Sequence, residues 1–184
     1  MRGEIIEVQG LDTNYVLTVQ NVTLDAANTT TPVELVTPLR RVFRMKALSA
    51  IVTTQNVELR NVGGGTTYGL ITAGDNQTLM AIYTVPAGKT AYIVHYYASL
   101  NKDSGGGSPD VVIKMWHKDN ANGYAPQIKH IMGLDADATS QFYHKFEPYH
   151  KVTEKTDIYL NCTNLSGAAT ADVSAGFDLV LVDN

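Results

Sequence analysis

The sequence predicts an all-β protein, an antiparallel two-sheet β-sandwich of jelly-roll type. Runs of β-branched, aromatic and aliphatic residues follow one another across residues 33–182, and residues 92–97 are typical of them. Turn-forming residues separate the runs, as at residues 86–88 and 120–123. No helical stretch interrupts the series, so we expect helix in less than about 10% of the residues.

The first predicted strands are short and lie between polar turns. Residues 4–9 alternate weakly and stop at a Gly-Leu-Asp turn. Residues 15–24 place Val or Leu at a period near that of a strand, and a polar loop follows at 25–32. A further short strand is predicted at residues 33–37, where Pro38 ends it.

The remaining strands alternate with turns at regular spacing, which is typical of a sandwich or barrel and brings the total to about twelve. They cover residues 41–52, 56–62, 66–72, 78–85, 89–100, 111–118, 127–132, 140–146, 157–163 and 173–182. The positions expected to face inward include Ile93, Met115, Ile158, Leu160, Phe177, Leu179 and Leu181.

Length and charge limit the possible functions. The 184 residues predict a single domain, 1–184, with a soft internal boundary near Gly74, where two glycine-rich stretches fall close together. The net charge of −4 argues against non-specific binding to the phosphates of nucleic acid. No apolar run approaches the roughly 20 residues of a transmembrane helix, and the N-terminus does not look like a signal peptide. We therefore expect no nucleic-acid or membrane partner and synthesis in a cytoplasm. Cys162, the sole cysteine, is expected to be a buried inert thiol.

None of the motifs associated with catalysis has the residues and spacing that a complete site requires. Lys89 follows a glycine as in a phosphate-binding loop, but a strand comes next where that motif requires a helix. The five histidines lack metal-ligand spacing, and the outer faces of strands are their favoured place. Convergence on a metal, or a ring of one histidine from each subunit, stays open. No catalytic, cofactor-binding or metal-binding residue is predicted, and no cofactor is expected.

Tyrosine is unusually common, with ten copies against four phenylalanines and one tryptophan. Its ring combines an apolar body with a polar tip, which suits interfaces and glycan stacking. The residues predicted to form an interface or a glycan surface are Tyr96, Trp116, Tyr124, Tyr143 and Tyr149.

Several segments carry a family resemblance: residues 77–92, Phe146-Glu147-Pro148-Tyr149 followed by residues 154–158, the ending at residues 176–184, and residues 41–45. Together they resemble virion-associated structural proteins of tailed bacteriophages from marine bacteria. The likeness covers about residues 40–184. Those relatives carry extra sequence before the region that matches Glu4, so this chain is expected to be a shortened version.

The resemblance implies a non-enzymatic virion structural protein, either for head decoration or in a fibre-like appendage. Such a protein is expected to reside in the virion, to contact other virion proteins and to form a homo-oligomer, with a trimer favoured. The alternative is a carbohydrate-binding sandwich module that attaches to host-surface glycans. A small β-fold enzyme with a histidine metal site, similar to a cupin, is a third possibility, which the absent ligand spacing disfavours.

Overall fold

The computed structural model describes residues 3–49, 52–104, 107–166 and 170–184. It is all-β, with 61% strand and 0% helix among these residues. The strands are β1 (Ile5–Asp12), β2 (Leu17–Thr23), β3 (Leu39–Ala47), β4 (Val57–Arg60), β5 (Thr67–Ile71), β6 (Ile82–Thr84), β7 (Lys89–Ser104), β8 (Asp110–Asp119), β9 (Gln127–Asp135), β10 (Gln141–Val152), β11 (Thr156–Asn164) and β12 (Thr170–Asp183). All strand pairs are antiparallel.

The all-β prediction is therefore confirmed, and the described residues form twelve strands, one fewer than the thirteen segments predicted above. The predicted strand at residues 33–37 is wrong, because no strand forms between β2 and β3 in that described stretch. Gln20 binds this segment instead, since its side-chain amide donates to the carbonyl of Thr37 and accepts from the Thr37 amide. Within the described part of the chain, no helix is long and apolar enough to span a bilayer.

The chain divides into two compact units, Met1–Met80 and Ala81–Asn184, close to the soft boundary expected at Gly74. The first unit contains a three-stranded sheet of order β2-β1-β3 and the hairpin β4-β5. Its apolar cluster is centred on Ile6, Val8, Met45 and Ile71. The prediction of one domain over 1–184 stays a prediction.

The second unit contains a three-stranded sheet of order β10-β7-β12 and a four-stranded sheet of order β6-β11-β8-β9. Strict alternation in β8 places Val111, Ile113 and Met115 inward, where each is at most 2% exposed. One apolar cluster takes side chains from strands of both sheets, including Ile93 and Ile158. These two sheets therefore share a single core.

The inward positions predicted for this unit fall into two groups. Ile93, Met115 and Ile158 are 0% exposed. Leu160, Phe177 and Leu179 are only half-buried against the core, and Leu181 is 36% exposed. The core side chains of β7 and β8 are thus almost fully buried, whereas those of β12 are partly exposed. Cys162, expected to be buried, is exposed on β11, although partial desolvation raises the pKa of its thiol.

A bulge in β7 decides which aromatic residues face the core. On both neighbouring strands the register passes from His95 directly to Ile93, so Val94 has no partner on either side. The extra residue reverses the alternation, because Ile93 and Tyr96 both point inward while His95 and Tyr97 lie on the outer face.

Candidate functional surface

The outer face of the three-stranded sheet carries a cluster of aromatic and charged side chains, which we call the tyrosine face. It consists of Tyr97, Tyr143, His95 and Asp178. Register places Tyr143 opposite Tyr97 and His95 opposite Asp178, so neighbouring strands bring all four together. Tyr97 is 44% exposed and Tyr143 is 62% exposed. Large aromatic surface is thus presented to solvent from regular strands.

A glycine lets the ring of Tyr97 lie flat on the sheet. Gly176 is the register partner of Tyr97 on β12. A Cβ atom at Gly176 would lie 2.7 Å from the Tyr97 hydroxyl oxygen and 2.8 Å from its Cζ. The ring therefore occupies the space that any other side chain would need. Gly176 contributes to the tyrosine face by the absence of a side chain.

A close contact between an imidazole and a carboxylate borders the rings. His95 Nε2 lies 2.6 Å from Asp178 Oδ2, and the His95 ring is 5.1 Å from the Tyr143 ring between centroids. Lys145 lies next to this pair and binds the Glu147 carboxylate, whose hydrogen bond raises the pKa of Lys145. The tyrosine face thus combines ring faces with a carboxylate and an imidazole that can form hydrogen bonds to a ligand or to a partner chain.

The outer face of the four-stranded sheet carries a second aromatic pair. Trp116 and Tyr159 are register partners, with nearly parallel rings at an interplanar angle of 7° and centroids 6.3 Å apart. Ile82 and Ile128 extend this row across β6 and β9. The Trp116 Nε1 proton is buried without a hydrogen-bond partner. The row is mainly apolar and only partly exposed.

Four of the five histidines lie on the inner sides of the strands, although outer faces were favoured. His130 and His144 form one pair, with ring centroids 4.6 Å apart, and His117 and His150 form another, at 5.0 Å. Phe146 contacts both pairs. Only His95 lies on an outer face.

Burial keeps several of these inner histidines neutral. Desolvation, with a smaller contribution from His150, lowers the pKa of His117 to about 3. Desolvation is also the main cause of the lowered pKa of His130 and of His150. Among the residues that the structure describes, no three His, Cys, Asp or Glu side chains form a group that could hold a metal ion.

The five residues predicted for the surface lie in different places. Tyr96 is 0% exposed in the core, where its hydroxyl is hydrogen-bonded to Nδ1 of His130 and desolvation raises its pKa. It cannot contribute to an exposed surface, and the bulge at Val94 is the reason. Tyr143 joins the tyrosine face, whereas Trp116 is on the other sheet. Tyr124, in the turn after β8, is 58% exposed, and Tyr149, at the irregular end of β10, is 53% exposed.

Sequence reasoning missed Tyr97, His95 and Asp178 as members of one surface. Alternation within β7 pairs His95 with Tyr97, but only the register shows that β10 and β12 bring Tyr143 and Asp178 beside them. A scan of protein-family models, a search of curated proteins and a search of solved structures all found no match to this chain.

Proposed function

We propose that this protein is a non-enzymatic structural component of a phage virion, either a capsid decoration protein or part of a fibre-like appendage. It works through contacts between identical subunits and with other virion proteins. The observation that carries this proposal is the tyrosine face, where Tyr97 and Tyr143 expose aromatic surface on rigid strands. Tyrosine is enriched where protein surfaces meet, because it buries much area at a low entropic cost.

The strand order of the second unit supports a jelly-roll sandwich, a fold common in virus particles. A jelly roll is a long hairpin wound around a barrel. Here β8·β9, β7·β10 and β6·β11 are the pairs of such a hairpin, folded at the β8–β9 turn. When the hairpin winds around the barrel, strands that are not hairpin partners become neighbours. The pairs β7·β12 and β8·β11 arise in this way. This order is one strand short of a complete jelly roll.

The proposed assembly is a homo-oligomer, with three copies favoured by the resemblance to phage proteins. Sedimentation at micromolar concentration measures the number of chains in the assembly directly. We expect an oligomer that Tyr143→Ala and Tyr97→Ala weaken, because each removes aromatic area from the tyrosine face. Tyr124→Ala is the matched control, since Tyr124 is 58% exposed, between the values of 44% for Tyr97 and 62% for Tyr143 and close to the latter, but lies in a turn. A stable monomer of about 20 kDa contradicts assembly.

Location in a virion needs a separate test. Mass spectrometry of density-purified phage particles from a host culture that expresses this sequence should detect its peptides at many copies per particle. Detection only in the unassembled protein fraction contradicts the virion assignment.

A second candidate function, binding of host-surface carbohydrate, is favoured by the polar groups beside the rings. Sugars stack on aromatic faces while carboxylates and imidazoles bind their hydroxyl groups, and Asp178 and His95 adjoin Tyr143 in this way. A glycan array tests this function. Binding that is lost in Tyr143→Ala and retained in Tyr124→Ala supports it, whereas no bound glycan leaves subunit contact as the role of the tyrosine face.

A further inference from the structure

We propose that the free edge of β12 is a docking site, and that its occupant is β12 of a second copy of this chain. The two strands pair antiparallel about a two-fold axis at Val180. This inference rests on the proposed function, assembly through subunit contacts, and names a second surface for such a contact, which shares Asp178 with the tyrosine face.

The first argument comes from the strand order. In the jelly-roll order described above, β7 lies on one side of β12. The strand that is missing from a complete jelly roll would lie on the other side. Within the described part of the chain, β12 pairs with β7 alone. Backbone donors and acceptors on this side of residues 177–183 are therefore available to another chain.

The second argument comes from the other sheet edges of this unit, each of which carries a device that discourages pairing. β6 has only 3 residues. β9 contains Lys129 and an irregular register, and β10 contains Lys145, Pro148 and a register break. In contrast, β12 has 14 residues and contains no Lys, Arg or Pro. It lacks the usual protection of an edge strand.

The third argument is the exposure of apolar residues at this edge. The inward row of β12 is only half-buried at Phe177 and Leu179 and is 36% exposed at Leu181. Its outer neighbours Val180 and Val182 are 52% and 47% exposed. A strand added beside β12 would cover this apolar segment, whereas the corresponding residues of β7 and β8 are already covered.

The sequence of β12 is complementary to itself, which identifies the occupant. An axis at Val180 places Leu179 opposite Leu181 of the partner strand. It also places Asp178 opposite Val182 and Phe177 opposite Asp183, so no carboxylate faces another. A two-fold axis makes two identical strands antiparallel, and antiparallel pairing is the kind that this sheet already uses.

Cross-linking tests the pairing. In a Cys162→Ser background, Val180→Cys places two thiols directly opposite each other at the axis. A short bis-maleimide should then convert most of the protein into a covalent dimer. Ile131→Cys is the matched control, because Ile131 is 54% exposed on β9 of the other sheet and should give little dimer.

Sedimentation supplies the second readout. Wild type should contain an even number of chains, which is six if the favoured three-fold contact forms as well. Val180→Lys should weaken the two-fold contact by about tenfold or more, because the two lysines would face each other. Ile131→Lys should leave the assembly unchanged. An odd-numbered oligomer, or one that Val180→Lys leaves intact and Val180→Cys does not cross-link, overturns the pairing but not assembly. A wild-type monomer overturns both proposals.

Discussion

His117 on β8 is a titratable side chain buried in the core of the second unit. It is 6% exposed, its Nε2 atom has no hydrogen-bond partner, and its ring packs against His150. Burial and the neighbouring His150 lower its pKa to about 3. Folding therefore requires His117 to be neutral, which couples stability to pH.

Acidification should destabilise the protein through His117. Between the ordinary histidine pKa of about 6.5 and the folded value of about 3, the unfolded chain binds a proton that the folded chain excludes. Stability is then complete above about pH 6.5 and falls as the pH decreases, by at most about 1.4 kcal/mol per pH unit from this site. Urea unfolding at pH 7, 6 and 5 measures the effect.

The variant His117→Leu isolates the contribution of this residue. We expect a smaller loss of stability between pH 7 and pH 5 than in wild type, with a residual slope from His130 and His150. Equal slopes in the two proteins would show that His117 does not couple folding to pH.

Individual surface residues could be predicted from the sequence only in part. The abundance of tyrosine predicted exposed aromatic surface, and Tyr143, Tyr124 and Tyr149 are exposed. The inner position of four histidines could not be predicted, because histidine occurs both on solvated faces and in cores.

At the scale of the strand, β1 depends on a glycine at an irregular position. The register between β1 and β3 shifts between Gln9 and Gly10, and a Cβ on Gly10 would lie 2.1 Å from the carbonyl oxygen of Arg41. That oxygen belongs to the backbone, so it cannot rotate away as a flexible side chain would. The close approach of β3 therefore requires glycine here.

Gly10→Ala should destabilise the first unit by about 3 kcal/mol, because strand β3 must shift to admit the methyl group. Thermal and urea unfolding measure the loss. Gly133→Ala is the matched control, since Gly133 also lies inside a strand but has no atom within 4 Å of its Cβ position. A loss at Gly10 no larger than at Gly133 would contradict the steric argument.

Strand positions could be predicted well from alternation, but the orientation of side chains after a bulge could not. Strict alternation from the inward Ile93 would place Tyr96 on the outer face, in agreement with its prediction as a surface residue. The extra residue Val94 reverses this order. Nothing in the run Tyr-Ile-Val-His-Tyr-Tyr marks Val94 as the bulge, because it contains no glycine or proline and Val94 itself has a high strand propensity.

At the scale of the whole molecule, each unit has an apolar cluster of its own. Expressed alone, residues 81–184 should fold into the seven strands β6–β12 and unfold cooperatively, as seen by circular dichroism in urea. Ile158→Ala, at a fully buried position, should destabilise the fragment by about 3 kcal/mol. A fragment without a cooperative transition would favour one indivisible domain.

The fold class followed from the sequence because runs and turns are local signals. The pairing of strands did not follow from it, since β11 lies between β6 and β8 while β7 lies between β10 and β12. Hydrophobic patterns specify which face of a strand is buried, but they do not specify its neighbour. The tyrosine face depends on those neighbours, so it emerged only with the structure.

The position of β7 between β10 and β12 has a consequence for synthesis. Its pairing with β12 joins residues as far apart as Lys89 and Asp183, which are separated by 94 positions. One side of β7 therefore has no strand beside it until Thr170–Asp183 has left the ribosome. Contacts of such long range form slowly, because the loop must close before they contribute. We expect the second unit to complete its sheet only after translation of β12. Until then, we expect chaperones to protect the incomplete sheet.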